Sequence, residues 1–315
     1  MNINVYGVGN AIMDLQVQCD DAFLQQHAIE KGIMSLTQAE EQQRILQALS
    51  SQEVNYCSGG SAANTMVAIA AMGGSAAYAG KVAEDDFGQQ YAADFQALGI
   101  HFAASNHAGD TGTCVVLITP DAQRTMLTNL GVSATLSVAD IDEQRIQQAE
   151  YVYIEGYLFA GETSKAAALH AITLAKKHHT KVALTISDPF LIDICRDDFQ
   201  KLIENDVDLL FCNEAEALAL TGKSAALDAA QDIHQHGVNV ALTLGEKGSI
   251  IIHEGEVISV AGVQVQAVDT TGAGDMYAAG VLYGITNGLT WTESGQKASA
   301  AAAKIVAQLG ARLAP

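Results

Sequence analysis

The chain has 315 residues, of which 49% are hydrophobic, and a formal net charge of −20 from 36 acidic and 16 basic residues. Because a nucleic-acid-binding protein needs a basic footprint, this balance argues against nucleic acid as a partner. The length and hydrophobic content suit one large α/β unit, and we expect residues 1–315 to form a single domain.

Cysteine usage and hydropathy indicate a reduced, cytoplasmic protein. The five cysteines show no C-x-x-C spacing, which is typical of free thiols in the cytosol. Residues 1–12 lack a basic segment followed by an apolar one, so we expect no signal peptide. The most apolar stretch, residues 66–80, is short and interrupted by glycines, so we expect no membrane span.

The amino-terminal half combines strands, helices and glycine turns. Its predicted elements are a buried strand over 3–10, a strand-like alternation through Leu15, Val17 and Cys19, a polar stretch with helical spacing over 23–50, a small-residue helix over 62–72, a strand over 76–82, an amphipathic helix over 84–98, and a hairpin of strands 112–119 and 125–130. Arg124 lies on that hairpin and is one of few arginines in the chain.

From residue 149 onward, strands and helices alternate. The predicted strands are 151–155, 181–187, 209–212, 238–244 and 249–253, and the predicted helices are 164–178, 197–205, 215–221 and 225–237. This alternation implies a doubly wound α/β fold, with a mostly parallel sheet and helices on both faces. The alternation of Val263, Val265 and Ala267 predicts one more strand, and an alanine-rich helix is predicted over 298–308.

The strongest candidate site is the motif Asp-Thr-Thr-Gly-Ala-Gly-Asp at 269–275, which runs into a small-residue helical pattern. Gly272 and Gly274 would let backbone N–H groups at a helix start approach a phosphate closely. Asp275 would repel a phosphate, but it is well placed to take a proton from a hydroxyl that attacks one. A helix N-cap followed by an acidic first turn explains the same residues.

A second candidate site lies in the amino-terminal half. Asp14 follows the first predicted strand, where a carboxylate can bind ligand hydroxyls, although a solvated turn aspartate is the alternative. Gly59 and Gly60 precede a helix and would allow close backbone approach to a ligand. Asn64, on the first turn of that helix, offers both a donor and an acceptor. A tight turn before a packed helix is the structural alternative.

Two further motifs follow strands in the carboxyl-terminal half. Asn213 and Glu216 are three residues apart on an opening helical turn. This spacing suits a Mg²⁺ ion held through water, and it equally suits an N-cap with a capping-box glutamate. Gly245 and Gly248, after Thr243, form a Gly-x-x-Gly turn that is a weak phosphate-site signal by itself.

Two of these stretches resemble signatures of the PfkB (ribokinase-like) family of sugar and nucleoside kinases. Residues 269–275 resemble the carboxyl-terminal signature and residues 59–65 resemble the amino-terminal one, in the family's order. The resemblance covers residues 7–310. It implies a ribokinase-like fold, ATP as the phosphoryl donor, a small-molecule acceptor, and a small β-lid formed from parts of about 12–50 and 100–132.

The resemblance also implies a role for each matched position. Asp275 would be the base, and the backbone of Gly272, Ala273 and Gly274 would bind the transferred phosphoryl group. The implied acceptor-binding residues are Asn10, Asp14, Gly59, Gly60, Ser61, Asn64, Arg124 and Tyr157. The implied ATP-binding residues are Asn213, Thr243, Gly245, Gly248, Thr271 and Gly274. Glu216 would hold Mg²⁺ through water, and Asp269 and Thr271 would border a site for a monovalent cation such as K⁺.

The acceptor is best addressed through subgroup resemblance. Residues 9–14, 111–114, 129–131 and 213–216 look more like adenosine kinases than ribokinases, which favours a purine nucleoside. The expected purine contacts are Met13, Leu127, Leu130, Tyr157 and Leu158. A kinase for ribose, fructose or 2-keto-3-deoxygluconate is the alternative.

A remote alternative comes from another class, and the oligomeric state stays open. A dinucleotide-binding oxidoreductase would use the Gly-Val-Gly at 7–9, although the third glycine of that fingerprint would fall at Ile12. We expect a monomer or a homodimer.

Overall fold

The computed structural model describes residues 3–103, 107–308 and 310–312, and over these ranges it contains fourteen strands. In chain order they are β1 (Ile3–Val8), β2 (Ile12–Gln18), β3 (Met34–Leu36), β4 (Asn55–Gly59), β5 (Ala76–Ala79), β6 (His101–Phe102), β7 (Thr111–Ile118), β8 (Arg124–Gly131), β9 (Ala149–Glu155), β10 (Lys181–Thr185), β11 (Leu209–Asn213), β12 (Asn239–Thr243), β13 (Gly248–His253) and β14 (Glu256–Ala261).

Helices connect most of these strands. They are α1 (Asp21–Gln26), α2 (Ala39–Ala48), α3 (Ser61–Ala71), α4 (Asp86–Ala97), α5 (Glu143–Gln148), α6 (Glu162–Lys177), α7 (Pro189–Asn205), α8 (Glu214–Thr221), α9 (Ala226–His234), α10 (Ala273–Thr286) and α11 (Trp291–Val306). Among the described helices, none has the length and apolar character needed to cross a membrane.

A nine-stranded large sheet runs in the order β14-β13-β12-β11-β10-β9-β1-β5-β6. The strands from β12 to β6 are parallel, and β13 and β14 are antiparallel at one edge. This is the predicted doubly wound α/β architecture. Because parallel strands all end at the same edge, their carboxyl ends form one continuous rim, which is where such sheets place their ligands.

Alternating side chains of the large sheet supply two cores. In β9, Val152 and Ile154 pack against α5 to α9, whereas Tyr151 and Tyr153 pack toward α3, α4, α10 and α11. Successive strand residues point to opposite faces, so a strand that is covered on both faces is apolar at nearly every position. This explains the continuous apolar runs of the carboxyl-terminal half.

A separate five-stranded sheet, which we call the small sheet, has the order β3-β8-β7-β2-β4. One of its faces packs against α1 and α2 through residues such as Met13, Leu15 and Leu127. Its other face presents Ile12, Cys114, Val116, Met126 and Leu130, and this face turns toward the carboxyl rim of the large sheet.

Three features differ from the sequence-based predictions. Val263, Val265 and Ala267 pair with no strand among the described residues, because their side chains line a cleft instead of a sheet face. Residues 23–50 form two helices and a short strand rather than one helical stretch. Helix α7 begins at Pro189, eight residues earlier than expected, and carries a kink at Cys195.

Candidate active site

Asp275 lies on the first turn of α10, where the two sequence motifs meet. Ser61 Oγ donates a hydrogen bond to Asp275 Oδ1 at 2.6 Å, and Asn64 Nδ2 donates to Oδ2 at 3.0 Å. Burial raises the pKa of Asp275, and the hydrogen bonds from Ser61 and Asn64 oppose that rise. A carboxylate held in one orientation with an elevated proton affinity is suited to act as a base.

Helix α10 starts on a glycine that no other residue would replace without strain. Gly272 is its N-cap with φ of +75°, a left-handed conformation that side chains disfavour. A Cβ atom there would come within 2.6 Å of the Ala311 Cβ. Around Gly274, by contrast, the space within 4 Å of an added Cβ is open. Ala273 and Gly274 also border two clefts, so the positive end of the helix lies at a free volume that an anion can occupy.

Asp14 projects from β2 into a buried position close to Asp275. Asp14 is only 7% exposed. Burial raises the pKa of Asp14 to about 7, while the charge of Arg312 lowers it and that of Asp275 raises it. The Gly59 backbone lies against this carboxylate, so that a Cβ at position 59 would collide with it.

Gly60 brings the start of α3 against the end of the first strand. Its φ is +101°, and an added Cβ would collide with the Asn10 carbonyl oxygen. The paired glycines therefore allow Asn10, Ser61 and Asn64 to converge on one point.

Glu155, at the end of β9, was not among the residues expected at the site. It is 1% exposed and accepts hydrogen bonds from the Asn10 N–H at 3.1 Å, from Asn10 Nδ2 at 2.9 Å and from the Ala62 N–H at 2.9 Å. Burial raises the pKa of Glu155 to about 7. A charged residue that ends a buried parallel strand was the signal that could have found it.

The first cleft, of about 900 Å³, opens between the small sheet and the large sheet. Its polar end is lined by Asn10, Asp14, Gly60, Ser61, Asn64, Glu155, Thr271 and Asp275, and its remaining wall includes Ile12, Met34, Leu36, Cys114, Val116, Arg124, Met126, Leu130, Tyr157 and Phe190.

Part of the expected apolar contact set is wrong. Leu130 and Tyr157 line the first cleft, whereas Met13, Leu127 and Leu158 lie in the cores. Met13 and Leu127 each stand one residue away from a cleft-lining neighbour on the same strand. A shift of one residue in a strand moves a side chain to the opposite face, so Ile12 and Met126 take the expected places.

Two more clefts adjoin the first along the rim. The second, of about 1110 Å³, is lined by Thr243, Gly245, Gly248, Val263, Val265, Ala267, Ala273 and Gly274 among others. The third, of about 790 Å³, lies between the other two and is lined by Asn213, Glu216, Thr243, Gly272, Ala273, Gly274, Asp275 and Arg124 among others. Asp275 therefore borders the first and third clefts, and Gly274 borders the second and third.

Asn213 and Glu216 form a complete capping box in this structure. Asn213 Oδ1 accepts from the Glu216 N–H at 2.8 Å, and Glu216 Oε2 accepts from the Asn213 N–H at 2.9 Å. Burial raises the pKa of Glu216 to about 7. The capping box that the sequence offered as the alternative to a Mg²⁺ site is therefore present. The Glu216 carboxylate also borders the third cleft.

Asp269 is fully buried and ties the motif to the end of the chain. Its Oδ1 accepts from the Thr271 N–H at 2.8 Å and from Thr271 Oγ1 at 2.6 Å, and its Oδ2 accepts from the Gly310 N–H at 2.8 Å. Thr271, expected among the ATP-binding residues, lines the first cleft instead of the second.

The hairpin of the small sheet reaches the loop that precedes α10, at Thr270. Thr270 Oγ1 donates to the Ala122 carbonyl at 3.4 Å at the hairpin tip. Arg124 lines both the first and third clefts, and its charge lowers the pKa values of Asp14, Asp275 and Glu216. A cation from the small sheet is therefore positioned at the junction of the two clefts.

The α/β fold matches ribokinase-like adenosine kinase structures. The chain matches the description pfkB family carbohydrate kinase over residues 33–315 and belongs to that family. It is therefore a phosphotransferase that acts on a hydroxyl group, with ATP as the donor. The family resemblance of the two motifs is confirmed. The oxidoreductase alternative is wrong, because strand β2 follows residues 7–9 where a dinucleotide fingerprint requires a helix.

Similar proteins include both nucleoside and sugar kinases. The crystal structure of adenosine kinase from Sinorhizobium meliloti has a TM-score of 0.93 and 36% identity, covering 99% of this chain and 96% of that chain. A probable sugar kinase from Rhizobium etli CFN 42 has a TM-score of 0.94 and 34% identity, with the same shares covered. A ribokinase from Haemophilus influenzae is 29% identical over 272 residues, covering 84% of this chain and 86% of its own length.

Proposed function

We propose that this kinase phosphorylates the hydroxymethyl group of a purine nucleoside, with adenosine as the first candidate. The observation that carries the proposal is the two-sided character of the first cleft. Its polar end, with Asp14, Asn10 and Asn64, suits the hydroxyl groups of a ribose. Its apolar wall on the small sheet, with Val116 and Met126, suits a flat base.

The apolar wall distinguishes a nucleoside from a free sugar. Leu36 is 61% exposed at this wall. The purine of a nucleoside would cover this apolar surface, whereas a free sugar would leave it in contact with water. Burial of one large apolar group contributes about 2–3 kcal/mol, and stacking on an aromatic ring such as Tyr157 adds to it. Because both the adenosine kinase and the probable sugar kinase resemble this chain, the acceptor has to be decided by measurement.

A coupled ADP-release screen of adenosine, inosine, guanosine, ribose, fructose and 2-keto-3-deoxygluconate tests the proposal. We expect the best nucleoside to exceed every free sugar in kcat/KM by roughly 30- to 150-fold, which is the rate equivalent of about 2–3 kcal/mol of apolar contact. A free sugar with the highest kcat/KM would contradict the nucleoside proposal and would support the sugar-kinase alternative.

In the proposed reaction, Asp275 accepts the proton of the acceptor hydroxyl as its oxygen attacks the γ-phosphorus of ATP. The bond from the γ-phosphorus to its bridging oxygen breaks, and ADP leaves with the electron pair. Gly272, Ala273 and Gly274 at the start of α10 and the guanidinium of Arg124 line the third cleft, where they would stabilise the charge of the transferred group. The N–H groups of Gly272 and Gly274 would bind that group, because the Ala273 N–H donates to the Thr270 carbonyl at 3.3 Å. The second cleft holds the nucleotide through Thr243, Gly245 and Gly248.

Glu216 would hold Mg²⁺ through water, beside the phosphates in the third cleft. Each oxygen of its carboxylate accepts one hydrogen bond from Asn213, so the second acceptor position of each is free to bind water. The described residues contain no cluster of three or more His, Cys, Asp or Glu side chains placed for a metal, as expected for an ion bound mainly by phosphates and water. When bound, Mg²⁺ would neutralise part of the negative charge of the phosphates.

Replacing Glu216 by Gln separates the metal role from the capping role. The Gln amide oxygen can still accept from the Asn213 N–H, so this part of the helix cap persists, whereas the negative charge and the hydrogen bond from Asn213 Nδ2 are lost. We expect Glu216→Gln to raise the Mg²⁺ concentration for half-maximal activity about tenfold. Glu214→Gln, on the same helical turn but outside the cleft lining, is the matched control. Superimposable Mg²⁺ titrations of the parent and Glu216→Gln would restrict Glu216 to capping.

A monovalent cation is the second ion that we propose. Oδ1 of Asp269 accepts two hydrogen bonds from Thr271 and Oδ2 accepts one from Gly310, so Oδ2 keeps one free position and backbone carbonyls of this junction would supply most other ligands. We expect a higher rate in K⁺ than in a tetramethylammonium buffer of equal ionic strength. Equal rates in the two buffers would argue against the site.

A further inference from the structure

The last described residues of the chain turn back beneath the polar end of the first cleft. The Gly310 N–H donates to Asp269 Oδ2 at 2.8 Å. Ala311 is 2% exposed and packs against Gly272. These contacts anchor the backbone on which Arg312 stands, so its side chain leaves from a defined position.

The Arg312 guanidinium lies near the Phe95 ring and the Asn64 amide. Its central carbon lies 5.6 Å from the centroid of the Phe95 ring, and its Nε donates a long hydrogen bond of 3.5 Å to Asn64 Oδ1. Its Nη2 is buried and has no hydrogen-bond partner among the described residues. A buried donor atom without a partner is costly unless negative charge lies nearby, although the Arg312 residue as a whole is partly exposed. Among the groups that lower the pKa of the buried Asp14, Arg312 has the largest effect.

The Asn64 amide connects Arg312 to the base. Its Nδ2 donates to Asp275 Oδ2 at 3.0 Å, and its Oδ1 faces the guanidinium. A flipped amide would set its oxygen against the Asp275 carboxylate and its NH₂ against the Arg312 cation. Both of those contacts are repulsive, so Arg312 favours the orientation in which Asn64 donates to Asp275.

We infer that Arg312 is a positioning residue of the acceptor site: through its hydrogen bond to Asn64 it orients that amide against Asp275, and its charge acts on the buried carboxylates of the site. The other cation, Arg124, stands on the small sheet, whereas Arg312 is anchored to the large-sheet side through Asp269 and Gly272. Arg312 lines none of the clefts described above and acts through Asn64 and Asp14. This inference rests on the roles proposed for Asp14, Asn64 and Asp275.

Arg312→Gln, which removes the charge, and Arg312→Lys, which keeps the charge and loses the Nε donor, test the inference. Lys304→Gln, an exposed basic residue on α11, is the matched control. We expect Arg312→Gln to raise the acceptor KM about tenfold, the factor that corresponds to one pKa unit, while the ATP KM stays within about twofold of the parent. Arg312→Lys should recover part of the acceptor KM.

A double-mutant cycle with Asn64→Ala separates positioning from general loss of structure. If Arg312 acts through Asn64, the effect of Arg312→Gln on kcat shrinks markedly in the Asn64→Ala background, because coupled residues are not additive. Fully additive effects on kcat, together with an unchanged acceptor KM in Arg312→Gln, would overturn the inference.

A titration of Asp14 by NMR requires no enzymatic turnover, so it tests the role of Arg312 independently of the proposed function. In protein labelled with ¹³C at the aspartate carboxyl carbon, Asp14 is assigned by Asp14→Asn and titrated by NMR. The charged and titratable groups around it are Arg312, Arg124, Asp275, Asp269, Cys57, Cys114 and Tyr91. The Asp14 pKa should rise in Arg312→Gln and stay near the parent value in Arg312→Lys. An unchanged Asp14 pKa in Arg312→Gln would contradict the inference. If only Arg312→Lys folds, a strongly raised Asp14 pKa in that variant would contradict it. Failure of every acceptor in the kinase assay would instead refute the proposed function.

Discussion

Asp275→Asn is expected to lower kcat by roughly 10²–10⁴, the usual contribution of a positioned general base. The amide has nearly the shape of the carboxylate and fits beside Ser61 and Asn64, but it cannot accept the proton of the acceptor hydroxyl. The start of α10 stays intact because Gly272 and its packing against Ala311 are unchanged. ATP should therefore bind with nearly the parent affinity.

The measurement combines steady-state kinetics with calorimetric titration of ATP. Asp228→Asn provides the matched control, because Asp228 is an exposed first-turn acid of α9. It should leave both kcat and ATP affinity unchanged. A near-parent kcat in Asp275→Asn would remove Asp275 from the role of base. A parallel loss of ATP affinity would instead indicate that the helix start had been disturbed.

Asp14→Asn is expected to reduce kcat/KM for the acceptor by about 10²–10³ with little change in the ATP KM. An ionised carboxylate that accepts two hydroxyl protons makes two charge-assisted hydrogen bonds, each worth about 1.5–3 kcal/mol. An amide oxygen accepts more weakly, and the NH₂ group of the variant cannot accept at all.

The pH dependence gives a second test of Asp14. Because burial raises the pKa of Asp14 to about 7, kcat/KM of the parent should fall as the pH drops below about 7 and the carboxylate gains a proton. Glu155 has a similarly raised pKa, so only loss of this acid limb in Asp14→Asn assigns it to Asp14. An acid limb that persists unchanged would assign the titration to another group.

Stability distinguishes loss of binding from loss of fold in this variant. The folded-state pKa of Asp14 lies above its unfolded value, so its contribution to stability is fully present below about pH 4 and is lost as the pH rises toward about 7. Above that pH the folded protein carries a buried charge that Asn lacks. Asp14→Asn should therefore unfold at a higher temperature than the parent at pH 8. A lower unfolding temperature would indicate that Asp14 is structurally required.

The sequence by itself determined the fold class and the motif positions that meet at the site. Gly60 and Gly272 belong to the two glycine motifs that the sequence shows, and both adopt positive φ angles, which is a local backbone property. Their close contacts with Asn10 and Ala311 are long-range. Asp275 and Asn64 are likewise adjacent to those glycines in sequence. The alternation of strands and helices after residue 149 reflects a sheet covered on both faces, which leaves a continuous apolar pattern.

Only the tertiary structure decided which side chains of the small sheet face the acceptor. In β8 the neighbouring residues Met126 and Leu127 are both apolar, so the sequence does not tell which of them faces the cleft. In β2, by contrast, Met13 shares the face of Leu15 and Val17, opposite Asp14, so its expected place at the acceptor contradicted the alternation of the strand itself. Arg312 and Asn64 are 248 residues apart, and no local pattern announces that contact. Glu155 likewise looks like an ordinary strand end until Asn10 and Ala62 are seen to donate to it. Backbone requirements that are local can be recognised in the sequence. Long-range packing decides which neighbour a buried strand residue faces and which groups pair with a buried charge.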